Sequence, residues 1–230
     1  MDDLVPATRA VLQVCDLSVC AGKRLLLRTQ NLTFAAGQMV ALVGPSGAGK
    51  STLLKCLNRL IDLTPGLVVS GDVLFHGRSI YAADTDVDAL RARIGMLFQQ
   101  PAVFPITLRK NVLFGVRHLG RIPKSDWQEV LERSLREASL WNEVKDRLDE
   151  SALKLSVGQQ QRLCLARTLA VDPEVILLDE PTSALDPRST EAVEESLLRL
   201  KGKRTLVLVT HNLSQAQRLA EGIVTLEHCH

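Results

Sequence analysis

The segment GPSGAGKST places two glycines, a lysine and a serine at the spacing Gly-x-x-x-x-Gly-Lys-Ser/Thr. Glycines let backbone N–H groups curve around phosphate oxygens without Cβ clashes, and Lys50 adds a point charge for the outer phosphates. The pattern therefore predicts a loop that binds the phosphates of a nucleotide. Its candidate binding residues are Gly44, Pro45, Ser46, Gly47, Ala48, Gly49, Lys50, Ser51 and Thr52.

A second pattern supplies carboxylates. The apolar run Val175–Leu178 is followed directly by Asp179 and Glu180. An acidic turn after a strand is common, but beside an intact phosphate loop it also fits phosphoryl transfer to water, which needs a metal ion and a group that positions the water. Ser51 and Asp179 are the candidate Mg²⁺ ligands. Glu180 is the candidate general base or water-orienting carboxylate.

His211 follows a further apolar segment, Thr205–Val209. A lone histidine at a strand end usually bonds to backbone groups, but this position also allows contact with the terminal phosphate. His211 therefore joins Glu180 among the candidate catalytic residues.

These side chains need a scaffold that brings strand ends together. Strands alternate with amphipathic helices after the first third of the chain, which predicts an α/β fold with a mostly parallel sheet and ligands at the carboxyl ends of its strands. The first third instead predicts short strands of an antiparallel β subdomain. The strands are expected at Val11–Cys15, Leu25–Leu27, Leu32–Phe34, Met39–Val43, Val68–Phe75, Ile94–Phe98, Val175–Leu178, Thr205–Val209 and Ile223–Leu226.

The helices divide into two sets. Helices are predicted from Lys50 to about Leu60, over Asp84–Arg93, Val157–Ala170, Ser189–Leu200 and Leu213–Ala220. Between them, the charged and amphipathic segment Lys124–Leu140 indicates an inserted α-helical subdomain at about residues 101–165. We expect residues 1–230 to form a single domain that contains this insertion.

Composition narrows the class of protein. Lys and Arg number 28 against 26 Asp and Glu, so the net charge of +2 gives no sign of a nucleic-acid binder. No apolar run reaches the roughly 20 residues of a membrane span, and Met1-Asp-Asp lacks the start of a signal peptide. The five cysteines are never spaced as CxxC, which argues against a disulfide framework or a zinc site. The chain therefore reads as a cytoplasmic protein.

Taken together, these motifs resemble the ATP-binding subunit of an ATP-binding cassette (ABC) transporter, over nearly the whole chain. Leu155-Ser-Val-Gly-Gln159 is similar to the family signature, and Ser183-Ala-Leu-Asp186 to its D-loop. Gln99 is similar to the Q-loop glutamine, a catalytic residue and metal ligand, and His211 to the switch histidine. The resemblance implies a P-loop ATPase with ATP and Mg²⁺ as ligands, in which Ser156, Gly158, Gln159 and Asp186 also contribute to nucleotide binding.

The resemblance also implies partners. Two copies would pack head to tail, with the signature of one copy facing the ATP held by Lys50 of the other. Closing and opening of this homodimer would drive separate integral membrane permease subunits, which contact the segment Gln100–Leu108. The chain would then be peripheral on the cytoplasmic face of the inner membrane and would serve, indirectly, a periplasmic or extracellular substrate-binding protein.

A narrower similarity concerns the cargo. Segments between the motifs, above all Leu140-Trp-Asn-Glu-Val-Lys-Asp-Arg-Leu148, resemble the phosphate-importer ATPases. General nucleotide chemistry does not require this segment, so it favours inorganic phosphate as the cargo. The alternatives are an importer or exporter ATPase for another cargo, and a soluble cassette ATPase that serves DNA repair or translation. An inactive nucleotide-binding regulator is disfavoured because Glu180 and His211 are retained.

Two positions depart from the family pattern. Val157 replaces the first of two signature glycines; a positive φ would strain a β-branched residue, so we expect a helical or extended backbone there, with Gly158 making the close approach to phosphate. Cys20-Ala21 stands before Gly22, where the family has an aromatic residue that stacks on adenine. The choice between ATP and GTP is therefore open on sequence grounds.

Overall fold

A computed structural model describes residues 10–227. The first part of the chain forms an antiparallel sheet in the order β2-β1-β4-β5. Its strands are β1 (Ala10–Ala21), β2 (Arg24–Ala35), β4 (Leu67–Phe75) and β5 (Arg78–Ser79). The sequence predicts two short strands where β2 runs as one, and that prediction is wrong. The polar residues Arg28–Asn31 stay in the strand because most of their side chains face solvent, while register shifts near Leu17 accommodate the irregular pairing.

The second sheet has five strands in the order β6-β7-β8-β3-β9. They are β3 (Met39–Val43), β6 (Ile94–Leu97), β7 (Val175–Asp179), β8 (Thr205–Val209) and β9 (Gly222–Thr225). β7, β8, β3 and β9 pair in parallel. All residues of β3 and β8 are buried, as expected for strands covered on both faces. The predicted α/β class with a parallel sheet and a separate antiparallel sheet is confirmed.

Contacts divide the described residues into two compact units, and the first comprises residues 10–94, 174–179 and 201–227. Its helices are α1 (Lys50–Leu57), α2 (Val87–Arg93) and α9 (Leu213–Leu219). Ala216 of α9 packs on Ala41 and Val43 of β3. α1 ends three residues before the predicted Leu60, because Arg59 adopts a left-handed backbone conformation with φ of 60°.

The second unit, residues 95–173 and 180–200, is mainly helical. Its helices are α3 (Leu108–Val112), α4 (Phe114–Leu119), α5 (Trp127–Glu137), α6 (Trp141–Val144), α7 (Val157–Leu169) and α8 (Pro187–Leu200). α5 lies in the segment predicted to be amphipathic, and its buried face includes Val130, Leu131 and Leu135. This unit contains the segment 101–165 for which the sequence predicts a helical subdomain.

The structure also describes the apolar helices and the cysteines that the sequence analysis considered. Within residues 10–227, no helix combines the length and apolar character that crossing a bilayer requires. Cys56 and Cys164 are buried, Cys15 and Cys20 are half-buried, and all four are free thiols. Cys229 lies outside the described residues.

Candidate nucleotide-binding and hydrolysis site

The predicted phosphate loop connects the end of β3 to the start of α1. Gly44 lies against the backbone after β9: a Cβ at this position would be 2.3 Å from the carbonyl oxygen of Leu226, so no larger residue fits. Gly47 has φ of 83° and open space around its Cα, which leaves that side of the loop free for a ligand. Ala48 is buried and Thr52 half-buried, whereas Pro45, Ser46 and Ser51 are exposed.

Lys50 is the first residue of α1 and is only 8% exposed. Its Nζ donates hydrogen bonds of 2.7 Å to the carbonyl oxygens of Gly44 and Pro45. The ammonium therefore lies inside the curve of the loop and satisfies its carbonyls. The loop is preorganised around a positive charge at the N-terminus of a helix, an arrangement suited to an anion.

An oxygen pair lies beside this loop. The Oγ of Ser51 donates a hydrogen bond of 2.8 Å to the Oδ1 of Asp179 at the end of β7. Hydroxyl and carboxylate oxygens are the ligand types that Mg²⁺ prefers, and the two atoms are close enough to share one ion. The first unit therefore brings Lys50 and Ser51 together with Asp179, which stands 129 positions after Lys50 in the sequence.

His211 follows β8 in an exposed loop. Its neighbour Thr210 is buried, and the hydroxyl of Thr210 hydrogen-bonds the Oε1 of Gln215 at 2.7 Å. The same hydroxyl accepts from the backbone N–H of Asn212, whose side chain caps α9. The loop that carries His211 is thus fixed on both sides. The sequence after β8 did not indicate that Thr210 and Gln215 would hydrogen-bond to each other.

In the second unit, Gln99 and Glu180 lie together. The Nε2 of Gln99 donates to the Oε2 of Glu180 at 3.4 Å and to the Oγ of Ser183 at 3.1 Å. Ser183 in turn donates to the carbonyl oxygen of Glu180 at 3.1 Å. Glu180 has φ of 44°, a left-handed conformation that is uncommon for a non-glycine residue and clusters at functional sites. Ser183 thus links the side chain of Gln99 to the backbone of Glu180, a contact that the sequence did not reveal.

A second hydrogen bond holds the backbone next to Gln99. Gln161 of α7 is fully buried, and its Nε2 donates a hydrogen bond of 2.8 Å to the carbonyl oxygen of Phe98. Phe98 directly precedes Gln99, so a side chain within α7 fixes the backbone before the Q-loop glutamine. No sequence signal indicated this contact, because Gln161 stands in the polar run Gln159–Arg162.

The signature residues form the N-terminus of α7. The hydroxyl of Ser156 accepts from the backbone N–H of Gln159 at 3.3 Å, and the Oε1 of Gln159 accepts from the N–H of Ser156 at 3.1 Å, which together make a capping box. Val157 is the first residue of the helix and is 50% exposed. Its helical backbone confirms the expectation that a β-branched residue is unstrained there.

Gly158 has an intramolecular reason to be glycine. A Cβ at Gly158 would lie 2.2 Å from the Oγ of Ser189, so α7 approaches α8 too closely for any other residue. Ser189 donates to both oxygens of Asp186, through its N–H at 3.1 Å and its hydroxyl at 2.6 Å. These bonds lower the pKa of Asp186 and place its carboxylate as the cap of α8. An open pocket of about 400 Å³ is lined by Ser156, Gln159 and Asp186.

The two units thus carry different chemical functions. The first supplies a phosphate loop, a lysine and two oxygen ligands for a metal ion. The second supplies a carboxylate held by Gln99 and Ser183, together with an exposed, capped helix N-terminus that can receive an anion. Each unit by itself thus carries groups of the kinds that take part in phosphoryl transfer from a nucleoside triphosphate to water.

Known proteins are similar to this chain over most of its length. A family model described as ABC transporter matches residues 27–183. The phosphate import ATP-binding protein PstB 1 of Enterococcus faecalis is 51% identical over 206 residues, covering 90% of this chain and 82% of that protein. PstB 1 of Streptococcus pneumoniae is 51% identical over 214 residues, covering 93% and 85%.

Solved structures agree. The structure of cbiO1 from Clostridium perfringens, part of the ABC transporter complex cbiONQ, has a TM-score of 0.82 and 26% identity, covering 95% of this chain and 85% of that one. A bacterial Atm1-family ABC exporter with ATP bound has a TM-score of 0.79 and 27% identity; the match covers 98% of this chain and 39% of the exporter chain. The family match, the identity to curated proteins and the site geometry agree that the chain belongs to the ABC transporter family, as an ATP-binding, ATP-hydrolysing protein with about half of its aligned residues identical to those of phosphate import ATP-binding proteins.

Proposed function

We propose that the chain is the ATP-hydrolysing subunit of an importer for inorganic phosphate. One observation carries the catalytic part: Ser51 and Asp179 form an oxygen pair 2.8 Å apart, next to a loop that already encloses the ammonium of Lys50. The cargo is supported by the relatives, which are named phosphate import proteins at about half identity over most of their length.

Each residue then has a role at the nucleotide. The N–H groups of the phosphate loop and Lys50 bind the outer phosphates, and Ser51, Asp179 and Gln99 would hold Mg²⁺. The ion would neutralise charge on the phosphates when bound. Glu180 accepts a proton from the attacking water, and His211 contacts the terminal phosphate.

A second copy of the chain would complete the site. Ser156 is exposed at the N-terminus of a 13-residue helix, and Gly158 and Gln159 lie in the first turn, where the helix dipole favours a negative charge. In a head-to-tail homodimer these groups would meet the triphosphate held by Lys50 of the other copy. Bound ATP would then join the copies, and hydrolysis would release them.

The transport partners follow from the relatives and from the membership of cbiO1 in a transporter complex. The chain would be a peripheral protein on the cytoplasmic face of the inner membrane, where its movement drives separate permease subunits. A periplasmic or extracellular binding protein would deliver phosphate to them. Residues 1–230 would act as one ABC ATPase domain with the helical part at about 101–165.

Phosphate uptake tests the cargo. Cells that lack the chain should lose high-affinity uptake of radiolabelled phosphate, and the wild-type gene should restore it. The Glu180→Gln variant should not restore it, whereas Glu129→Gln, which removes the same charge from an exposed position of α5, should. Equal uptake with and without the chain would refute phosphate as the cargo.

Co-purification tests the assignment to a transporter. The chain, isolated gently from its own cells, should bring an integral membrane protein with it. Sedimentation with ribosomes or DNA, and no membrane partner, would instead favour the soluble cassette ATPases of translation or repair.

A further inference from the structure

A chain of polar contacts links the interior of the second unit to the N-terminus of α7. Arg162, whose side chain is 7% exposed, donates from Nη1 to the carbonyl oxygen of Ser139 at 2.6 Å and to the Oε1 of Glu143 at 2.5 Å. The other carboxylate oxygen of Glu143 accepts from the Nε2 of Gln159 at 2.8 Å. The Oε1 of Gln159 then accepts from the N–H of Ser156. The network thus ends on the signature serine.

The chemistry of these groups fixes one orientation of the Gln159 amide. An ionised carboxylate can only accept hydrogen bonds, and a backbone N–H can only donate. Between them, the amide must turn its NH₂ group to Glu143 and its oxygen to Ser156. If the acceptor at Glu143 were lost, a flipped amide would place a donor against the N–H of Ser156, and the capping box would break.

The environment keeps this carboxylate ionised. Partial burial of Glu143 opposes ionisation, but hydrogen bonds from Arg162 and Gln159 and the positive charge of Arg162 outweigh it, so the pKa lies below its ordinary value. Arg162 is itself anchored to the backbone at Ser139. The carboxylate therefore has a fixed position relative to α7 as well as a fixed charge.

We propose that Glu143 is a positioning residue for the ATP-dependent dimer: through the amide of Gln159 it holds the hydroxyl and N–H groups at the start of α7 in the geometry that receives the triphosphate of a second copy. The proposal rests on the proposed function, because it assumes the two-copy site. It adds a residue outside the signature, in α6, on which the signature depends.

Dimer affinity tests the proposal. In a Glu180→Gln background, which is expected to hold ATP without hydrolysis, the ATP-dependent dimer is measured by analytical ultracentrifugation with and without Glu143→Gln. We expect dimerisation to weaken at least about tenfold, or about 1.4 kcal/mol. ATP binding to the dilute monomer should stay the same because the phosphate loop belongs to the first unit. The matched control, Glu129→Gln, should leave both quantities unchanged.

A double-mutant cycle separates positioning from a general structural role. Gln159→Met keeps an unbranched helix-forming side chain but removes the amide. If Glu143 acts through this amide, Glu143→Gln should cost little further dimer affinity in a Gln159→Met chain. An equal cost in both backgrounds would overturn the proposal, since Glu143 would then act only through Arg162.

Folding is controlled by a charge-retaining variant. Glu143→Asp keeps an anion opposite the buried Arg162 but draws the carboxylate back from Gln159, so the dimer should weaken while the melting temperature stays near that of the parent. If Glu143→Asp and Glu143→Gln both dimerise with the affinity of the parent, the role of Glu143 is overturned but the two-copy site is not. A parent that forms no dimer with ATP overturns the two-copy site and the inference with it.

Discussion

The left-handed backbone of Glu180 allows stability and catalysis to be separated. Its φ of 44° costs an L-residue roughly 1–2 kcal/mol relative to glycine, which adopts this conformation freely. Glycine in turn loses about 0.5–1 kcal/mol more than alanine in backbone entropy on folding. The balance predicts that Glu180→Gly is more stable than Glu180→Ala by about 0.5–1 kcal/mol. For a chain of this size, that is a rise of roughly 1–4 °C in melting temperature.

The comparison of glycine with alanine isolates the backbone, because both variants lose the contact with Gln99 equally. Glu191 is the matched control: it is exposed in the middle of α8, where the backbone is helical. There the order should reverse, with Glu191→Gly about 1 kcal/mol less stable than Glu191→Ala. Urea unfolding of the four variants measures both differences.

Activity supplies the second half of this prediction. Both Glu180 variants should hydrolyse ATP at least about 100-fold more slowly than wild type, since removing a general base has an effect of this size or larger. Both Glu191 variants should retain wild-type rates. Equal or greater stability of Glu180→Ala compared with Glu180→Gly would refute the idea that the site holds strain, and near-normal hydrolysis in either would remove Glu180 from the mechanism.

Three further predictions address other contacts. Gly158→Ala should destabilise the chain by about 1–3 kcal/mol through its clash with Ser189, and Ser189→Gly in the same chain should restore most of the loss in a thermal melt. Ala21→Tyr should tighten ATP binding about three- to tenfold in a titration, because a ring at the end of β1 can stack on adenine; an unchanged affinity would place the base elsewhere. Partial burial of Glu174 opposes its ionisation, but hydrogen bonds from Arg93 and His76 and their positive charge outweigh this and lower the pKa of Glu174. The wild-type chain should therefore be more stable than Glu174→Gln, and the difference should be largest at a pH above the ordinary pKa of glutamate. The difference should shrink as the carboxylate is protonated, which urea unfolding midpoints measured from about pH 7 to about pH 3 would show.

The sequence predicted the parallel strands and the phosphate loop well because their signals are local. The runs Met39–Val43 and Leu206–Val209 are uniformly apolar. The strands Met39–Val43 and Thr205–Val209 are fully buried and have the predicted bounds. The glycine spacing before Lys50 likewise specified a strand-to-helix turn. Such features depend on neighbours within a few residues, and no distant contact overrides them.

Features that depend on distant contacts were not predicted. β2 stays continuous through Arg28–Asn31 because it pairs with β1 along its length, a tertiary effect that outweighs local polarity. Ser183, Gln161 and Glu143 act through atoms of residues that are up to 84 positions away in the chain. A polar side chain gives the same sequence signal whether it meets solvent or a functional loop.

Hydrogen bonds hold the candidate functional groups of the second unit, and their strength determines whether ATP binding can move these groups. Gln99, Glu180 and Ser156 each take part in a hydrogen bond that involves a side chain. Each such bond contributes only about 0.5–1.5 kcal/mol net. Ligand present at 1,000 times its Kd supplies about 4 kcal/mol, enough to exchange two or three of these bonds for contacts with nucleotide. Apolar packing of the same loops would resist such an exchange, so polar anchoring suits the proposed two-copy site, which would open and close in each cycle.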